Sequence, residues 1–281
     1  MSRRHRPPKF AYLDTNFYSY LLKKRELADR AVAYLRREGF TVIISLLHWA
    51  ELHKADRQHD VISRFWDDVD AMLVVPSGHT NYFALDAYPG AKRTPPKIIG
   101  PTCEDVARDF LAGVPVDGSV PGYSAALLND LLDKQKPRAR AAIEEIRMRW
   151  PNATKRRDFE DRWIFQALLF TSRTRFHPNF ITLNFPLVPG SFPSVRLQGA
   201  LVWWTHIRPG ARPPRLESSE LADRAHSEYF YCCELIVLEA FQHEMLSQVR
   251  RAAPELFKQT LRTFTTSKFV QLLETAAMPF P

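Results

Sequence analysis

Short apolar runs alternate along this chain with longer stretches whose apolar residues recur every three to four positions, the pattern of strands followed by amphipathic helices. Phe10, Ala11, Tyr12 and Leu13 form the first run, which ends in Asp14. Thr15 and Asn16 supply helix-start chemistry, and the periodic stretch 17–38 predicts a helix that Gly39 closes as a C-terminal cap. Residues 41–45 predict a buried second strand. A helix through Glu51 follows, then another over 61–71, and 72–76 predict a further short strand.

From 79 to 216 the pattern changes. Pro95 and Pro96, Pro186, and Pro213 and Pro214 mark loops between helical segments near 103–112, 122–150 and 155–172. The alternation then resumes. Ser218 and Ser219 start a helix that runs through Tyr231, 235–238 predict a strand, and 240–251 a helix. Residues 261–265 predict a last strand, and Thr266 and Ser267 cap a helix over 268–277. No internal repeat or low-complexity tract interrupts the order.

Strands alternating with helices imply right-handed crossovers and an α/β fold with a mostly parallel sheet covered on both faces. The expected organisation is a core whose first part is 9–78 and whose second part is 217–281, interrupted by a large, mainly helical, Pro-rich insertion at 79–216. With 281 residues the chain is long enough to bury its own core. Its 45% apolar and 25% charged content exclude disordered and fibrous classes.

The charge balance narrows the partners. Lys and Arg number 39 against 31 Asp and Glu, a net charge of +8, which favours a polyanion and makes nucleic acid the leading partner. The three cysteines, Cys103, Cys232 and Cys233, include no C-x-x-C, against a disulfide framework or a zinc ribbon and in favour of a reducing, cytoplasmic setting. Arg3, Arg4 and Arg6 lead into Pro7 and Pro8 instead of a long apolar stretch, so no signal peptide is expected. The longest apolar run, 41–50, is broken by Ser45 and His48 and is shorter than the ~20 residues a membrane span needs, so no membrane contact is expected.

Ligands of parallel sheets gather beyond the carboxyl ends of the strands. Asp14 and Glu239 close predicted strands, Glu51 lies on the helix after the second, and Asp223 lies on the helix before the strand at 235–238. Carboxylates brought together repel one another and lose hydration, an arrangement that a divalent cation relieves. Mg²⁺ or Mn²⁺ held there would support metal-assisted hydrolysis of a phosphodiester. Three of the four acids have an alternative reading: Asp14 as a helix cap worth about 1 kcal/mol, Glu51 as a solvated helix residue, and Glu220 or Glu228 in place of Asp223.

Tyr12, Leu13, Asp14, Thr15 and Asn16, then Val42 to Ser45 followed by Glu51 and Leu52, then Asp223 to His226 and Leu235 to Glu239, together resemble the PIN-domain nucleases. The resemblance covers roughly 9–76 and 217–278. It implies a PIN-like core in which Asp14, Glu51, Asp223 and Glu239 are catalytic metal ligands, with Thr15 or Asn16 helping to hold the site and Asn16 on the substrate side, and a substrate that is RNA more than DNA. Two departures stand out: the long separation between Glu51 and Asp223, and Glu at 239 where the family usually has Asp.

The predicted insertion offers basic side chains for phosphates. Lys155, Arg156 and Arg157 lead a helix interleaved with Phe159, Trp163, Phe165 and Phe170, and Arg208, Arg212 and Arg215 precede Asp223. Aromatic stripes of that spacing also serve as core, and His48 and His53, which flank Glu51, and His226, one helical turn after Asp223, are read as packing or surface residues ahead of catalytic ones. Two functions follow: a metal-dependent nuclease acting on single-stranded RNA, or a PIN-like nucleic-acid-binding or scaffolding protein without catalysis. A homo-oligomer or a protein partner is compatible with either.

Overall fold

A computed structural model describes residues 9–44, 48, 51–52, 59–69, 71–73, 193–210 and 226–275, with helical positions at 137, 140–141, 144–145, 148, 156 and 159–160. In chain order these give β1 (Lys9–Leu13), α1 (Thr15–Lys23), α2 (Arg25–Glu38), β2 (Phe40–Ile44), α3 (His59–Asp68) and β3 (Met72–Leu73). Then come α4 (Pro193–Val202), running into a π-helical turn (Trp203–Ile207), a 3₁₀ turn (Ser227–Cys232), β4 (Cys233–Leu238) and α5 (Ala240–Ala252). A second 3₁₀ turn (Pro254–Leu256), β5 (Arg262–Thr265) and α6 (Thr266–Thr275) complete the order.

The strands form one sheet in the order β3-β2-β1-β4-β5, and every neighbouring pair is parallel. β3 is a two-residue edge strand beside four longer ones. The expected α/β class and parallel sheet are thus present. Side chains alternate between faces along each strand, as the pleat requires. Ala11, Leu13, Val42, Ile44, Leu235 and Val237 pack with Phe17, Leu35, Phe65 and Phe269 from the helices on one side. Tyr12, Ile43, Ile236 and Leu238 pack with Leu197, Leu201, Phe230 and Leu246 on the other. Burial on both faces explains why the strands read as near-continuous apolar runs.

Four expectations are corrected. The helix over 17–38 is two helices, because Lys24 is extended (φ −135, ψ 93) and its N–H bonds back to Tyr20 O at 3.0 Å. The reason is phase. At 3.6 residues per turn, the buried stripe of Phe17, Tyr18 and Leu21 lies roughly a quarter turn from that of Leu27, Ala31, Tyr34 and Leu35, so one straight helix cannot bury both. The cap of α6 is Thr265, whose Oγ1 accepts from Lys268 N at 3.3 Å; Thr266 opens the helix and donates to Leu238 O at 3.1 Å. From His226, which is helical, the described chain passes into a 3₁₀ turn, so no α-helix continues through Tyr231. Finally, α4 was not expected at all. It lies within the presumed insertion, yet Leu197, Ala200 and Leu201 belong to the core on the second face of the sheet. Its helical signal is weak because Gly199 interrupts it.

Gly39 does close α2, with φ 72 and its N–H bonded to Arg36 O and Leu35 O. The predicted helix at 103–112, most of those at 122–150 and 155–172, and the 218–225 part of the helix expected through Tyr231 lie outside the described residues. Among the described residues no helix is long and apolar enough to cross a membrane.

Candidate active site

The strand order reverses between β1 and β4, and the crevice beyond their carboxyl ends is where open parallel sheets bind ligands. Asp14 follows β1 directly. Its N–H donates to Val237 O at 3.0 Å, and its Oδ2 accepts from Asn16 N at 3.3 Å as the N-cap of α1. Glu239 follows β4 directly and starts α5, but its side chain makes no cap. Instead its Oε2 accepts from Asn16 Nδ2 at 3.2 Å. Glu51, on the helical stretch after β2, accepts a hydrogen bond from the Thr15 hydroxyl. The turn Asp14-Thr15-Asn16 is therefore a hub that supplies one carboxylate and holds two others.

The electrostatics follow from this convergence. Asp14 is 5% exposed, and its carboxyl is raised from 3.8 to about 6. Burial is the largest cause; the repulsion of Glu51 and Glu239 adds to it, while His226 and the Asn16 N–H act against it.

Two buried histidines back the acids. His226 Nε2 lies 3.6 Å from Glu51 Oε2, and its ring centroid is 4.4 Å from that of His48. His48 Nε2 donates to the Leu13 carbonyl at 3.0 Å, which fastens the strand end next to Asp14. Burial, then the neighbouring His226, holds His48 well below the usual histidine range, so it stays neutral. The sequence reading placed both among packing or surface residues. The available signal was their position, His48 one helical turn before Glu51 and His226 one turn after Asp223.

No family model, curated protein or solved structure matches this chain. Its chemistry is therefore drawn from its own side chains. Asp14, Glu51 and Glu239 offer the hard oxygens that Mg²⁺ or Mn²⁺ takes, and their mutual repulsion at Asp14 is what a divalent cation would neutralise. Among the described residues no three Asp, Glu, His or Cys side chains are grouped closely enough to grip an ion. The residues thus fit the metal in donor chemistry, without a preformed cage; such a fit suits Mg²⁺, which uses one or two carboxylates and keeps several waters.

Asp223, Lys155, Arg157, Arg212 and Arg215 lie outside the described residues. Arg156 is described, and the expectation that it contacts phosphate meets a competing use. Its guanidinium is 12% exposed and pairs with Glu255 at 2.6 Å and Glu160 at 3.1 Å. Arg208 stacks its guanidinium over Trp204, 4.4 Å from the ring centroid.

Proposed function

We propose that the chain is a metal-dependent, PIN-like nuclease that hydrolyses phosphodiester bonds in single-stranded RNA in the cytoplasm. Asp14, Glu51 and Glu239, with Asp223 from the segment before His226, would hold Mg²⁺ or Mn²⁺. The observation that carries this reading is the meeting of three carboxylates, from segments far apart in sequence, around Thr15 and Asn16 at the switch point of a parallel sheet. A bound ion would supply Lewis acidity and a coordinated water that ionises more readily than bulk water. The chain's own part is preorganisation: Thr15 holds Glu51, Asn16 holds Glu239, and His48 fixes the end of β1. The net charge of +8 draws a polyanion, and Lys155, Arg157, Arg208, Arg212 and Arg215 are the proposed phosphate contacts.

Cleavage of a labelled single-stranded RNA should require Mg²⁺ or Mn²⁺, stop in EDTA, and be lost in Asp14→Asn. Full activity of that variant in metal-replete buffer would refute the mechanism. A nucleic-acid-binding protein without chemistry is the second reading, favoured by the lack of a grouped ligand set among the described residues. Tight RNA binding with no cleavage under any divalent ion would select it.

A further inference from the structure

Cys232 and Cys233 are adjacent in the chain, and the acid cluster uses neither. They stand where the 3₁₀ turn passes into β4, at the amino end of that strand. Glu239 follows the other end of β4, about 20 Å away at ~3.3 Å per residue. Both sulfur atoms converge on one acceptor: the Cys232 thiol donates to Tyr229 O at 3.0 Å and the Cys233 thiol at 3.2 Å. The two thiols also hydrogen-bond to one another. Their surroundings differ. Cys233 is buried, while Cys232 is partly open to solvent. The hydrogen bond from Cys233, together with the Lys258 ammonium that Glu234 holds at 3.0 Å, keeps the Cys232 thiol below its ordinary range, whereas burial pushes that of Cys233 well up. An accessible thiol that ionises readily, beside a buried second thiol, is the arrangement of an attacking and a resolving cysteine.

We propose that Cys232 and Cys233 are a modification site for hydroperoxides, which closes to a reversible disulfide. The Cys232 thiolate attacks the terminal peroxide oxygen: an S–O bond forms, the O–O bond breaks, and the departing alkoxide, or hydroxide from hydrogen peroxide, takes up a proton. The Cys233 thiol then gives up its proton and attacks the Cys232 sulfur. An S–S bond forms, the S–O bond breaks, and hydroxide leaves with that proton as water. The two thiols together lose two electrons, and the hydroperoxide is reduced to an alcohol, or to water. Adjacent Cα atoms are ~3.8 Å apart, short of the ~4.4–6.8 Å of relaxed disulfides, so the ring is strained and easily reduced. The ladder is already irregular there. The pairing of β4 with β1 shifts register between Phe10 and Ala11, passing from Cys233 to Leu235 and leaving Glu234 opposite no residue of β1.

The test treats the reduced full-length chain with hydrogen peroxide, quenches it with iodoacetamide in denaturant, and reads each cysteine by peptide mass. Cys103→Ser is the parent, so that no third thiol enters the pair. Cys232 and Cys233 should lose their labels together, in one peptide lighter by two hydrogens, and reduced glutathione should restore both. Cys233→Ser should stop at a Cys232 sulfenic acid that dimedone traps. Cys232→Ser should react at least about tenfold more slowly than the parent, since the thiolate of Cys233 is the scarcer one. The parent's own masses decide should either variant fail to fold. Both thiols still labelled after excess peroxide overturns the proposal, as does Cys232 advancing to sulfinic acid while Cys233 keeps its label. A folded Cys232→Ser variant that reacts as fast as its parent overturns it too. None of these results depends on cleavage at Asp14, so the nuclease reading stands or falls separately.

Discussion

Replacing Asp14 by Asn removes the charge from a carboxyl group that burial and two neighbouring acids have made hard to ionise. In the folded chain its pKa is raised from 3.8 to about 6. Below the lower value the group is protonated whether the chain is folded or not, so it contributes nothing to any difference. Between the two values the folded chain retains a proton that the unfolded chain has lost, and stability falls as pH rises through that window. Above it, the ionised carboxylate destabilises the metal-free fold by about 3 kcal/mol, from roughly two pKa units at 1.36 kcal/mol each. Asn caps a helix about as well as Asp, so the variant keeps the start of α1. Urea denaturation in EDTA should therefore show Asp14→Asn more stable than wild type by about 2–3 kcal/mol near pH 8, and nearly equal near pH 4. Mg²⁺ at a hundred times its dissociation constant should then stabilise wild type alone, by about 2.7 kcal/mol, and close the gap. A stability difference independent of pH, or a variant less stable than wild type near pH 8, would refute this account of the site.

Arg156→Ala should destabilise the fold by about 2–3 kcal/mol, below the ~3–5 kcal/mol typical of a broken buried pair, because Arg196 remains 4.0 Å from Glu160. The same variant should leave the salt dependence of RNA binding unchanged, whereas a lost phosphate contact would reduce the slope by about 0.7. Gly39→Ala should cost about 1–2 kcal/mol in thermal or urea denaturation, all of it from placing a side chain at φ 72, since nothing lies within 4 Å of the added methyl.

The sheet was legible because both of its faces are buried, so that β1, β2 and β4 stand out as apolar runs ending in polar residues. Asp14 and Glu239 were legible for the same reason, each being the first carboxylate after such a run. The break at Lys24 was harder to see, since no Gly or Pro marks it and only the change of helical phase between Leu21 and Leu27 records it. That Thr15 holds Glu51 in particular, and what the two histidines touch, depend on contacts across 35 residues or more, which no local pattern encodes. The pairing of Arg156 was hidden for a related reason. Its neighbours in sequence read as a basic helix start, while its partner Glu255 is 99 residues away.

β1 lies at the centre of the sheet, yet only one of its two neighbours, β2, is made early. The other, β4, leaves the ribosome roughly 10–40 s later at a synthesis rate of ~5–20 residues per second. Throughout that interval the nascent chain carries an apolar strand with one open edge, the kind of surface on which chains join one another. A holding chaperone, or temporary cover by the chain between them, is what such a translation order calls for. The acid cluster, which needs Glu239, comes into being only when the last quarter of the chain closes that edge.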